Sequence, residues 1–383
     1  MKRLLILFVL VSIISCKPEK KQESIASPSL QDTTVVTYAD GLSISREANG
    51  ISLVEVRSPW PGAEKPFRYL LVPREQLAFT TFDKDAYDAI IATPVERIVV
   101  TSTTHIPALE SLGVEIKLVG FPETRYISSE KTRKRIEAGQ ITDVGSNEAV
   151  NTEKLLALQP DLVVGFSIDN RNQAYDVIQR SGIPVVYNGD WTESSPLGKA
   201  EWIKFFAPFF GKEQEADSIF SQIEQDYLAA RKLAADAPER PTVLCGALYK
   251  DIWYLPGGNS WMARFLEDAN ANYLWSDNED SGSLSLSVES VLETAKNADS
   301  WVSPSQYTSY KEMGAANRHY SQFRAFRERQ VYTFARTTGE TGGLLYYELA
   351  PNRPDLVLKD LVSLLHPGLL PDHQPFFFKP LAD

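Results

Sequence analysis

Glu153 and Glu289 are the residues whose setting first suggests chemistry. Asn151-Thr152-Glu153-Lys154-Leu155-Leu156 leads to Asp161-Leu162-Val163-Val164, and Ser287-Val288-Glu289-Ser290-Val291-Leu292 leads to Asp299-Ser300-Trp301-Val302. Each copy reads as an N-cap residue, a glutamate at the second helical position, an apolar pair, then Asp and a short buried strand. A carboxylate in the first helical turn is favoured by the helix dipole and held in place. Two such charges at matching positions suit a two-lobed protein that one partner must grip on both lobes. The copies are not identical, since Glu289 to Asp299 is two residues longer than Glu153 to Asp161.

Other residues invite different chemistry. Gly165-Phe166-Ser167-Ile168-Asp169 follows a strand and precedes a helical pattern, as a serine nucleophile elbow does. Asp169, however, stands where the sharp turn wants a second glycine, and no assembled set of catalytic roles accompanies Ser167. An esterase using Ser167 is thus the weaker alternative. The four histidines, His105, His319, His366 and His373, show no metal-ligand spacing, so no resident metal or cofactor is expected. Cys245 sits in an apolar run, Val243 to Ala247, and reads as a small core residue. Gly257-Gly258-Asn259-Ser260 opens a helix and reads as a tight turn before it reads as an anion site.

The elements that would position these residues follow from periodicity. Ile51–Val56 and Phe67–Val72 flank a Pro/Gly loop and predict an antiparallel hairpin, in a β extension over residues 35–93. From 94 to 197 strands (97–101, 116–119, 162–164, 183–187) alternate with helices (106–112, 129–138, 171–180), which predicts a parallel, doubly wound α/β lobe. Residues 198–237 are helical: an apolar helix over 198–210, then 212–236 with Ile219, Ile223, Tyr227, Ala230 and Ala234 at helical spacing. At 1.5 Å per residue the second would reach roughly 35 Å, enough to span both lobes. A second α/β lobe fills 238–383, with strands at 243–248, 252–255, 300–303 and 330–334. Its helices fall at 260–269, 287–297, 320–329 and 356–365, and a proline-rich C-terminus lies along the surface.

Lys2 and Arg3 precede the apolar run Leu4 to Ile14, and Ser15-Cys16 closes it, the pattern of a secretory signal over residues 1–16. Cys16 after a small residue resembles a bacterial lipobox, which implies lipidation of Cys16, and 17–34 reads as a polar tether. The formal net charge is −11; loss of Lys2 and Arg3 leaves 37 basic against 50 acidic residues, or −13. Without a basic stripe, nucleic acid is no expected partner, whereas basic loops of a membrane partner are.

The order and spacing of Arg97–His105, Asp143–Gly145, Asn151–Val163, Gly182–Val186 and Pro196–Ile203 resemble the substrate-binding proteins of bacterial ABC importers for iron chelates and cobalamin. Arg353–Asp360, His366-Pro367 and Leu370–His373 resemble the version of that family found in Bacteroidetes. The resemblance runs from about Pro94 to Lys379. It implies two Rossmann-like lobes joined by one long helix, a metal chelate, corrinoid or haem held in the cleft between them, and no catalysis. It also implies that Glu153 and Glu289 dock onto the permease dimer, from the periplasmic side of the cell envelope.

Ligands of open α/β lobes sit at loops after the carboxyl ends of strands. The qualifying loops are 102–105, 121–126, 166–170 and 190–191, then 250–254, 306–307 and 336–343. They hold His105, Arg125, Tyr126, Trp191, Trp253, Tyr254 and Arg336. Aromatic faces with a few cations suit a large, flat or carboxylate-bearing ligand, with Trp191 and Arg336 foremost, and His105 or a cleft tyrosine available to haem iron.

Overall fold

The computed structural model describes residues 36–147, 149–169 and 172–383. The expected signal segment, Cys16 and the tether 17–34 lie outside the described residues.

Leu42–Arg46 (β1), Ser52–Val56 (β2), Phe67–Pro73 (β3) and Ala89–Thr93 (β4) form one sheet in that order. The expected hairpin is the middle of this sheet, with β1 antiparallel on one side and β4 parallel on the other. Alternation along β3 sends Tyr69 and Leu71 into the first lobe's core, while Leu70 and Val72 pack with Ile51 and Phe82 on the opposite face. The extension is therefore a covering layer of the first lobe.

Ile98–Val100 (β5), Leu118–Phe121 (β6), Thr142–Asp143 (β7), Leu162–Gly165 (β8) and Val185–Tyr187 (β9) make a parallel sheet ordered β7-β6-β5-β8-β9. The order reverses between β5 and β8, so a crevice opens at their carboxyl ends. The strand expected at 116–119 begins two residues later, because Glu115–Lys117 form a 3-10 turn that leaves Ile116 65% exposed.

The second lobe contains Thr242–Cys245 (β10), Ala247–Tyr249 (β11), Ile252–Pro256 (β12), Asn272–Tyr273 (β13), Ser283–Leu286 (β14), Ser300–Val302 (β15), Val331–Thr333 (β16) and Lys379–Pro380 (β17). Its main sheet runs β13-β10-β15-β16-β17, parallel except for β17, and β11-β12-β14 form an antiparallel side sheet. The single strand expected over 243–248 is broken at Gly246, whose φ is +74°. A Cβ there would lie 1.8 Å from the Tyr254 carbonyl oxygen. The helix expected over 320–329 is a 3-10 turn, Arg318–Gln322, followed by the short helix Arg324–Arg327.

The C-terminus is not a surface strap. Phe377 and Phe378 are fully buried and β17 closes the sheet. What draws them in is Asp360, a fully buried carboxylate that accepts hydrogen bonds from the N–H groups of Phe376, Phe377 and Phe378 and pairs with His373.

Between the lobes the apolar run splits into two helices, Pro196–Glu201 and Ile203–Phe210, at Trp202. The long helix is Glu213–Ala235. Ala216, Phe220 and Ile223 belong to the first lobe's core, and Tyr227, Ala230 and Ala234 to the second's. One continuous helix is thus a structural member of both lobes. The repeated sequence unit also acts alike in each. Asp161 accepts the N–H groups of Glu96 and Arg97, just ahead of β5, and Asp299 accepts the Thr242 N–H at the start of β10.

The lobes touch at a second place. Glu348, 3% exposed on the second lobe, accepts the N–H groups of Ser128 (2.6 Å) and Ser129 (2.9 Å) on the first. Asn352 Nδ2 donates to the Thr104 carbonyl, 2.9 Å away. Burial, aided by nearby Glu110 and opposed by those two N–H groups, pushes Glu348 up to about 7 from an ordinary 4.5. The folded protein therefore takes up a proton that the unfolded chain does not hold between pH 4.5 and 7. The corresponding stability, on the order of 3 kcal/mol, is complete below pH about 4.5 and lost as the pH rises through about 7. Glu348→Gln should flatten this part of the urea-midpoint profile; a variant profile parallel to wild type across pH 4.5 to 7 would assign the slope to other groups.

Candidate ligand-binding cleft

A cavity of about 340 Å³ opens at the switch point and is walled by both lobes. The first lobe supplies Thr101, Ser102 and Thr103 after β5, Phe121, Pro122, Glu123 and Tyr126 at and after β6, Asn147, and Phe166 after β8. The second supplies Gly343, Leu344, Tyr347 and Glu348. Thr101 Oγ1 accepts the Phe166 N–H at 2.7 Å and so ties the two strand tips across the crevice. Tyr126 and Tyr347, from opposite lobes, are 53% and 54% exposed, a large aromatic area for a chain to leave uncovered on two facing walls. A neighbouring compartment of about 380 Å³ shares Asn147 and Phe166 and adds Ser167, Ile168, Asp169, Asn172 and Gln173.

The walls are brought close by glycine. Cβ atoms at Gly339 and Gly343 would each lie 2.6 Å from a Ser128 side-chain atom, so any larger residue would push the lobes apart at the cavity floor. Glu123 adopts a left-handed conformation (φ +50°, ψ +58°) at the tip of β6, uncommon for a residue other than glycine or asparagine. Its carboxylate pairs with Arg125, whose Nη2 lies 2.6 Å from Oε1 and 3.1 Å from the Tyr126 hydroxyl.

The structure sorts the sequence-derived candidates. Tyr126 lines the cavity, and Arg125 stands behind it in solvent. Trp191 does not line it directly. Its indole N–H donates to the Pro59 carbonyl and its ring meets Phe166 edge-on at 5.7 Å, so it braces a wall residue. Trp253 is a core residue: it is fully buried, stacked on Trp301, with its N–H on the Cys245 carbonyl. Its outward neighbour Tyr254 is partly exposed beside Tyr249 on the β11–β12 hairpin, away from the cavity lining. Arg336 turns to the Pro380 carbonyl, 2.6 Å away.

His105 is likewise internal. It is 1% exposed, packs on Phe206, and burial lowers its pKa to about 4, so it is a neutral imidazole behind the strand tip rather than a ligand to anything in the cavity. Among the described residues no cluster of three His, Cys, Asp or Glu side chains could hold a metal ion. The Ser167 hydroxyl donates to the Asp169 carbonyl. Gly257 and Gly258 face the carbonyl oxygens of Asp280 and Asn278, an arrangement that repels anions.

The sequence reading named most first-lobe wall loops but missed Thr101, Asn147, and the second-lobe wall Leu344, Tyr347 and Glu348. The signal for the latter was present: Leu344-Leu345-Tyr346-Tyr347-Glu348 directly follows the glycine pair 342–343, so an apolar and aromatic segment emerges from a loop that needs close approach. Glu153 and Glu289 are both exposed in the first turn of their helices, below caps in which Asn151 accepts from the Lys154 N–H and Ser287 from the Ser290 N–H.

Residues 98–337, well over half of the chain, match the family model described as periplasmic binding protein. An uncharacterized lipoprotein of Methanocaldococcus jannaschii is 27% identical over 298 residues, covering 76% of this chain and 69% of that protein. Two solved structures share the fold. A possible iron-binding (periplasmic solute-binding) protein from Staphylococcus epidermidis has 19% identity and a TM-score of 0.56, with 72% of this chain and all of that chain covered. A periplasmic haem-binding protein of Vibrio cholerae has 20% identity and a TM-score of 0.56, covering 71% and 100%. The bilobed fold on a shared helix and the match over residues 98–337 lead to one conclusion: the chain belongs to the periplasmic binding protein family, whose members bind solutes and are not enzymes.

Proposed function

We propose that this chain is a lipid-anchored substrate-binding protein that captures a metal chelate or corrinoid between its lobes and delivers it to an ABC importer. The observation that carries the reading is the cavity walled by Tyr126 of one lobe and Tyr347 of the other, in a molecule whose lobes share one helix. Such a site encloses a ligand by apposition of two preformed surfaces, and its exposed aromatic faces suit a bulky, partly flat guest. The iron-binding and haem-binding names of the two similar structures favour the same ligand class. The lipoprotein name of the archaeal relative favours anchoring through Cys16, and the family description favours the periplasmic side.

Glu153 and Glu289 serve in this reading as the docking charges, one per lobe. Each is exposed and fixed by a capped helix start, so their separation reports how the lobes stand. Arginines of a permease dimer are the complementary partner.

Titrations of tryptophan fluorescence against cobalamin, haem and a siderophore panel should give submicromolar binding for one ligand type. Tyr126→Ala and Tyr347→Ala should each weaken it about tenfold, the scale of one lost aromatic contact. Binding to none of the panel, or affinities untouched by both variants, would sink the cleft assignment. In cells, the Glu153→Arg/Glu289→Arg double variant should cut uptake at least about tenfold with ligand affinity retained, because like charges then meet at the docking face. Wild-type uptake by that variant would remove the docking role.

A further inference from the structure

We propose that the outer face of the β11-β12-β14 side sheet, with Tyr249, Ile252 and Tyr254 beside Glu289, is the second lobe's docking surface for the permease. Its partner is a permease loop that carries an arginine among apolar side chains. The proposal rests on the reading of Glu289 as a docking charge and adds the surface on which that charge acts.

The strand ladder places these residues. β11 and β12 join through the two-residue turn Lys250-Asp251, so Tyr249 stands opposite Ile252 and Ala247 opposite Tyr254. β14 continues the sheet, with Ser285 opposite Tyr254 and Leu286 opposite Trp253. Alternation sends Leu248, Trp253 and Leu286 to the lobe core and turns Tyr249, Ile252, Tyr254 and Ser285 outward. All four outward side chains are exposed, Tyr249 by 66%. One residue beyond the Trp253–Leu286 pair, the two strands reach Ile252 and Ser287, the cap of the helix Val288–Ala295. The hairpin tip and the helical turn that holds Glu289 therefore lie at the same end of the side sheet, and that helix packs against β12.

Such a face suits a protein partner. Tyrosine and serine offer wide contact at little entropic cost. The inner side holds the hairpin in place, since Trp253 stacks on Trp301 and the Leu248 N–H donates to the Tyr320 hydroxyl. Tyr249, Ile252 and Tyr254 line neither compartment of the cleft, so the guest does not account for their exposure. In the turn Lys250 and Asp251 offset each other, which leaves Glu289 to make this end of the sheet negative. A second copy of the chain is a poor occupant, because a formal charge of −11 would meet its like. An arginine answers both features of the face: a guanidinium pairs with a carboxylate and stacks on tyrosine rings.

The test is made in cells, with whichever of cyanocobalamin, haemin or a ferric trihydroxamate the purified protein binds. Tyr249→Ser/Tyr254→Ser should cut uptake of that probe at least about tenfold, as loss of interface tyrosines does. Affinity for the probe and the thermal midpoint should stay near wild type, both positions being exposed. A second arm needs no ligand: p-benzoylphenylalanine in place of Ile252 should, on irradiation, join the protein to a permease subunit through an arginine-bearing loop identified by mass spectrometry. Wild-type uptake by the tyrosine variant, or crosslinks to a second copy of this chain instead of the permease, would overturn the proposal and leave the docking glutamates to their own charge-reversal test. Affinity that falls along with uptake would overturn it too, by making the hairpin a ligand contact. Normal transport by Glu153→Arg/Glu289→Arg, with uptake lost in the tyrosine variant, would remove the docking charges and uphold the surface.

Discussion

Buried carboxylates that collect runs of peptide N–H groups hold this molecule together wherever strand pairing cannot. A segment crossing between lobes, or returning from a terminus, carries backbone donors with no ladder to join, and leaving them unpaired in the interior costs about 1–3 kcal/mol each. Glu201, fully buried, accepts from Thr37, Tyr38 and Ala39, and Glu193 accepts from Asp40 and Gly41. Asp360 does the same for Phe376 to Phe378, and Glu348 for Ser128 and Ser129. Lys204 offsets the charge of Glu201, and His373 that of Asp360. These clusters fasten the N-terminal entry, the C-terminal return and the lobe contact, and the last of them, at Glu348, is itself part of the cavity wall.

That device explains which parts of the fold were legible in the residues. Periodicity marked the long helix, the alternating lobes and the repeated unit, because apolar spacing records which face is buried. The repeat drew notice for its glutamates, yet its aspartates are the members with a visible structural task, each joining the start of the strand that follows it, β8 or β15, to the start of its lobe's first parallel strand. The C-terminus read as surface because prolines and polar residues surround Phe376 to Phe378. Nothing local shows that Asp360, on a helix earlier in the chain, will receive their N–H groups. Long-range polar capture of this kind leaves no period in a sequence.

The cavity wall was legible as loops and, among the seven named side chains, in Tyr126. Placing ligands at the carboxyl ends of strands located the β5, β6 and β8 tips, since sheet topology determines where a crevice opens. Residue type then misled. Trp253 alternates inward on β12 while Tyr254 alternates outward, a one-residue matter of register. His105 begins a helix whose inner face is the lobe core, so the same loop that carries Ser102 and Thr103 to the cavity carries the imidazole away from it. Arginines were chosen for charge, and the structure spends Arg125 and Arg336 on local partners.

The β extension, which precedes the residues matched by the family model, takes part in the site through a short chain of contacts. Trp60 is buried against Phe67 and Tyr187, which sets the loop that follows β2 onto the end of β9. From there Pro59 receives the Trp191 indole N–H and Ser58 the Thr192 hydroxyl, while Gly189 leaves room for both. Trp191 in turn supports Phe166, the residue common to both compartments of the cleft. A loop outside the matched region thus sets the position of a wall residue inside it. This side of the cavity wall is therefore built by the extension and the first lobe together, because Phe166 rests on a ring whose N–H is held by a backbone carbonyl of the added layer.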